Sequence, residues 1–146
     1  MGDRTASTVI DVHIILRNQD RILLSQRGGP YCHGQWHVPS GKLDTGETVL
    51  DAAVREAWEE AGVAIDPGDL RLVHTVHHQG PDVPDRIGLF FEATRWHGEP
   101  DNREPNKCLA LEWFAIHNLP SELIPYPAAG IRGYLDDTGG ISVHGW

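Results

Sequence analysis

Glu56, Glu59 and Glu60 are the residues whose type and spacing point most directly to chemistry. Side chains at i, i+3 and i+4 on a helix meet on one side of it, so these three carboxylates would crowd together. No Lys or Arg stands four residues after any of them to relieve the repulsion. They also fall in the C-terminal half of their segment, where the helix dipole disfavours anions. A hard cation would reconcile the cluster, because Mg2+ takes oxygen ligands and bridges carboxylates to phosphates. Taken alone, the three glutamates are also readable as a solvated acidic helix face.

The element that must carry them is a helix over 48–61. Thr48 with Asp51 three residues on resembles a capping box, and Gly62 sits where a left-handed C-terminal cap belongs. Leu50, Ala53, Val54, Ala57 and Ala61 fall on one arc of roughly 100°, read as the buried face, with the glutamates on a neighbouring arc. Before the helix, Ser40 to Gly46 reads as a loop whose glycines allow close backbone approach to a ligand. Val9 to Leu16 and Arg21 to Gln26 read as strands of a hairpin, with a short extended piece at 35–39. Further strands are expected over 70–77, 87–96 and 109–116, and a second helix over 127–135. Strands on both sides of one amphipathic helix predict an α/β sandwich with a mixed sheet.

Loop and helix together read Gly41-x5-Glu47-x7-Arg55-Glu56-Ala57-x-Glu59-Glu60-x-Gly62-Val63. This resembles the Nudix box, and on it the chain is identified as a MutT-like member of the Nudix hydrolase family. Every fixed letter stands at the family's spacing; Ala57 alone is smaller than the usual aliphatic residue. The resemblance implies a Nudix-type α/β/α sandwich. The expected organisation is a single domain over 1–146 with the box at 41–63.

What the resemblance implies for the site follows residue by residue. Glu56 and Glu60 would be metal ligands, with Glu59 beside them or positioned to orient or deprotonate the attacking water. Arg55 would pair with Glu47 or a neighbouring glutamate and hold the carboxylates in place. The carbonyl of Ser40 resembles a backbone metal ligand, and Glu104 resembles a carboxylate that reaches the metals in nucleoside-triphosphate-type members. The implied cofactor is Mg2+, with Mn2+ as the alternative, and the implied reaction is in-line attack of water on a diphosphate. Arg27, ending the second strand, is placed to meet a phosphate, or is a solvent-exposed strand-end arginine. Trp36 is a candidate platform for a base, with a core tryptophan as the favoured reading. Glu104, likewise, is otherwise a loop carboxylate.

The substrate expected is a small nucleoside di- or triphosphate. An ADP-ribose or nucleotide-sugar pyrophosphatase is the alternative, although Pro81 slightly overshoots the place of the proline that ADP-ribose-type members carry. No tyrosine of the dinucleoside-polyphosphate type stands between Val63 and Arg86. A non-catalytic nucleotide sensor and a prenyl-diphosphate isomerase are disfavoured by retention of all the box glutamates. Lys plus Arg is 12 and Asp plus Glu is 21, so a net charge of −9 argues against nucleic acid as partner. Cys32 and Cys108 read as free thiols of a reducing compartment. Zinc is set aside because His77-His78 and Cys32-His33 lack ligand spacing, and adjacent strand residues point to opposite faces. With no apolar run of membrane length, the expected location is the cytoplasm, as monomer or homodimer.

Overall fold

The apolar run near the start of the chain forms strand β1, Val9–Asn18, in a computed structural model that describes residues 2–138 and 140–146. Its side chains alternate between two layers, as a strand's must. Val12, Ile14 and Leu16 pack on one side, and Ile15 packs on the other. The remaining strands are β2 (Arg21–Arg27), β3 (Trp36–His37), β4 (Ser40–Lys42), β5 (Arg71–His78), β6 (Arg86–Ala93), β7 (Cys108–Ala115) and β8 (Ile141–His144). They form one sheet in the order β3-β2-β1-β6-β5-β8, with β4 paired to β1 and β7 to β2. The pairs β1–β6 and β5–β8 are parallel and the others antiparallel, so the sheet is mixed.

Helix α1, Val49–Ala61, covers one face, and helix α2, Pro125–Asp136, covers the other. This is the α/β/α sandwich expected. On the α2 side, Asp11 is buried and accepts from Tyr126 Oη (2.8 Å) and Arg86 Nη1 (2.8 Å), and meets His13 Nε2 at 2.6 Å. Three polar partners make that burial tolerable and tie the first turn of α2 to the strands beneath it. His77 bonds Asp85 and His78 bonds His144, so the two imidazoles serve different partners.

Three expectations are corrected. Ser40–Lys42 is not wholly loop: it is a short strand whose pairing comes from β1, in the register Asp11↔Lys42, Val12↔Gly41 and His13↔Ser40. No apolar alternation announces it. Strand β8 was not expected either, since four residues give too short a pattern. The buried arc of α1 is turned toward the glutamates: it comprises Ala52, Ala53, Glu56, Ala57 and Ala61, while Leu50 is 37% exposed. Small alanines let the helix lie close to β1 and β4, and Glu56 joins the buried arc.

Trp36 takes the favoured core reading, which removes it from the substrate-binding candidates. It is only 8% exposed, lies edge-to-face on Phe114 with ring centroids 4.9 Å apart, and belongs to the α2-side core. Its backbone is held on both sides, N–H to Glu122 O and C=O to Ile124 N–H. The indole is therefore core and offers no open face to a base. Trp36→Ala is expected to cost about 3–5 kcal/mol of stability, read from the urea unfolding midpoint. An unchanged midpoint would return the indole to the ligand.

Candidate functional site

The loop from β4 into α1 is built by local chemistry. Thr48 caps the helix: its Oγ1 accepts from Asp51 N–H (3.1 Å), and its own N–H donates to Asp51 Oδ2 (3.3 Å). Glu47 braces the loop by accepting from Asp44 N–H at 2.8 Å. Gly41 lies directly beneath the Glu56 carboxylate, and a Cβ there would overlap it. The glycine thus lets a carboxylate rest on backbone.

Arg55 is the hub. Its Nε and Nη2 donate to the two oxygens of Glu47 (3.1 and 2.7 Å), a bidentate pair. Its Nη1 donates to Glu56 Oε1 (2.7 Å) and Glu59 Oε2 (3.2 Å), and Nη2 also reaches Lys42 O (3.2 Å). Arg55 stands four residues before Glu59, so the relief that is missing on the C-terminal side of the glutamates comes from the N-terminal side. It holds Glu47 below the usual carboxylate range. Burial pushes Glu56 above that range although Arg55 offsets part of the effect.

Glu60 is the most perturbed acid. Burial of its carboxylate, with the Glu56 charge next in weight, pushes its pKa up to about 8. The Ser40 N–H, which donates to Glu60 Oε2 at 2.7 Å, pulls the other way. Ser40 faces His13 across the β1–β4 pair, and the flanking bond runs from Ile14 N–H to Pro39 O. Ser40 is therefore at a non-hydrogen-bonded position, and both its backbone groups point away from β1. Its carbonyl is left on the side where Glu60 lies.

Glu60 and Glu104 line one cleft with Ser25, Arg27, His37, Lys107 and Cys108. Glu104 is also felt by Glu56 and Glu60, whose ionisation its charge opposes. Lys107 Nζ lies 3.4 Å from Glu104 Oε2. Arg27 donates from Nε to Tyr31 O (2.9 Å), which fixes its guanidinium at the cleft. His37 is held neutral: burial, then the charges of Arg27 and His13, bring its pKa down to about 3. Sequence reasoning missed Ser25, His37, Lys107 and Cys108. Strand alternation could have found two of them, since Ser25 shares a face with Arg27, and His37 points opposite to the buried Trp36.

The donors suit a hard divalent cation by chemistry: carboxylate oxygens whose charges oppose one another in partial burial, beside a backbone carbonyl outside the ladder. Among the described residues, however, no three acidic, His or Cys side chains converge on one point. Arg55 engages Glu56 and Glu59, and the Ser40 amide engages Glu60.

Comparison with known proteins agrees with this geometry. The family model described as NUDIX domain matches residues 8–134. The 8-oxo-dGDP phosphatase NUDT18 of Homo sapiens is 38% identical over 75% of this chain, which spans only 33% of that protein. The 8-oxo-dGTP diphosphatase of Escherichia coli is 31% identical over 76% of this chain and 83% of its own length. The crystal structure of a MutT NUDIX hydrolase from Burkholderia pseudomallei superposes with a TM-score of 0.80 at 29% identity, over 86% of this chain and 97% of that one. A family model that spans nearly the whole sandwich, with the box residues in register along β4, the loop after it, α1 and its C-cap, establishes that this chain belongs to the Nudix family.

Proposed function

We propose that the protein is a metal-dependent pyrophosphohydrolase that cleaves the diphosphate linkage of a small nucleoside di- or triphosphate. One observation carries this reading. The buried carboxylate of Glu56 and the half-buried one of Glu60 stand beside a cleft that also presents Arg27 and Lys107, so acids for a cation and cations for phosphates face one space. The described residues act as one catalytic unit, with 41–63 as its metal-binding part. Mg2+ or Mn2+, held by Glu56, Glu60 and the Ser40 carbonyl with Glu59 and Glu104 beside them, would neutralise phosphate oxygens and lower the pKa of water.

The chain's own residues do the rest. Arg55 and Glu47 fix the carboxylates, and Arg27 binds phosphate oxygens. Glu59, whose side chain is 50% exposed, takes the proton from the attacking water. Water oxygen bonds to phosphorus, the bridging oxygen leaves with its electron pair, and the products are a nucleoside monophosphate and phosphate or pyrophosphate. The relatives named for oxidised guanine nucleotides make oxidised purine nucleotides the first substrates to try. No helix among the described residues is long and apolar enough to cross a membrane, and a cytoplasmic location fits a substrate from the nucleotide pool. A non-catalytic sensor is the competing reading.

The purified protein is to be assayed with Mg2+ against normal and oxidised nucleoside di- and triphosphates, ADP-ribose, nucleotide sugars and NAD-capped RNA. Turnover is expected on a nucleoside di- or triphosphate, and Glu60→Gln should lower it by more than about 100-fold. Binding of these nucleotides without turnover would favour the sensor.

The high pKa of Glu60 gives a second expectation. Without metal, the folded protein keeps the Glu60 proton up to a pH of about 8, whereas the unfolded chain loses it near 4.5. The folded state binds more protons across that window, so stability falls as pH rises through it. In chelator, Glu60→Gln should therefore be more stable than wild type at pH 9, by on the order of a few kcal/mol, and no more stable at pH 4. Urea unfolding at the two pH values measures this; a gap that does not widen with pH would remove the buried-acid account.

A further inference from the structure

Glu104 lies far along the chain from the box, and a docked loop brings it to α1. The helix leaves its last carbonyls unsatisfied, as any α-helix does, and the segment 97–104 supplies partners. Asp101 N–H donates to Ala61 O (3.0 Å) and Arg103 N–H to Glu60 O (3.3 Å). Ala64 and His97 exchange backbone bonds of 3.0 and 2.9 Å. The Arg103 guanidinium sits 5.2 Å from the centroid of Trp58, a tryptophan otherwise 52% exposed on the wet face of α1, and its Nε donates to Asp101 Oδ1 (3.0 Å). Gly62 makes room: its φ of 70° suits the left-handed cap, and any Cβ there would overlap the Arg103 and Asp101 side chains.

Within this docked loop, Asn102 uses both ends of its amide. Oδ1 accepts from Glu104 N–H (3.0 Å), and Nδ2 donates to Cys108 O (2.7 Å). The turn is closed by Lys107 N–H and Cys108 N–H, both donating to Glu104 O at 2.8 Å. The backbone of Glu104 is thus held at both its N–H and its C=O between the end of α1 and the start of β7. That frame aims the carboxylate into the cleft it shares with Glu60.

We infer that Asn102 is a positioning residue for the metal-dependent reaction: by clamping the Glu104 backbone to a loop docked on the end of α1, it makes Glu104 the outlying member of the box carboxylate set. This rests on the function proposed above. The predicted signature is non-additivity, because a residue that acts only through Glu104 has nothing left to position once that carboxylate is gone.

The test uses Mn2+ binding, followed by electron paramagnetic resonance of the free ion, on the full chain. Asn102→Ala and Glu104→Gln should each weaken binding about 10-fold, and the double variant should bind within about twofold of Glu104→Gln alone. Gly62→Asn, which tolerates the left-handed cap but pushes a Cβ into the docked loop, should show the same non-additivity with Glu104→Gln. Hydrogen exchange of the metal-free protein should quicken at the Glu104 and Cys108 amides of Asn102→Ala and stay unchanged in β1. Equal losses from Asn102→Ala in both backgrounds, or no loss at all, would overturn the inference. Wild type that binds Mn2+, loses it on Glu60→Gln and ignores Glu104→Gln sinks this inference alone; wild type that binds no Mn2+ sinks the proposed function with it.

Discussion

A single guanidinium makes the acidic site possible. Arg55 lies within ion-pair distance of Asp44, Glu47, Glu56 and Glu59, and its charge is spread over a fork that meets several carboxylates at once. Without it, the loop before α1 and the helix itself would carry like charges with no internal counterion. The bidentate grip on Glu47 fixes the path of the loop, and the grip on Glu56 fixes that carboxylate over Gly41. Strand β4 then needs to be only three residues long, because β1 on one side and α1 on the other hold it. A lysine could match the charge but not the simultaneous bonds in three directions.

The two layers contribute unequally to this. The α1 side supplies the acids, and its alanine-rich face lets the helix approach the sheet closely enough for Glu56 and Glu60 to be part-buried. The opposite layer supplies rigidity: Asp11, His13, Arg86 and Tyr126 lock α2 to the strands. The cleft opens where β2, β3 and β7 pass between them, which is why its residues come from four separate stretches of chain.

Much of this is legible in the sequence alone. The box residues carry their own spacing, and the Thr48–Asp51 box and the Gly62 cap were readable because capping is decided within a few residues. Long apolar strands such as β1 announce themselves by composition. What sequence could not disclose depends on partners far along the chain. Ser40–Lys42 becomes a strand only because β1 offers it an edge. Trp36 is core only because Phe114 meets it. Glu56 is buried only because β4 brings Gly41 beneath its carboxylate. Cys108 joins the cleft through the pairing of β7 with β2, which no local pattern encodes.

The grip of Arg55 on Glu56 and Glu59 gives the site the character of an ion exchanger already loaded with the protein's own cation. Under the proposed function, a divalent ion would not fill a bare anionic hole; it would compete with guanidinium hydrogen bonds. Its affinity would then be a difference between two occupied arrangements, with Glu47 as the anchor of the guanidinium. Such a site need not depend on metal to stay folded, unlike small domains whose ligands have no partner until the ion binds.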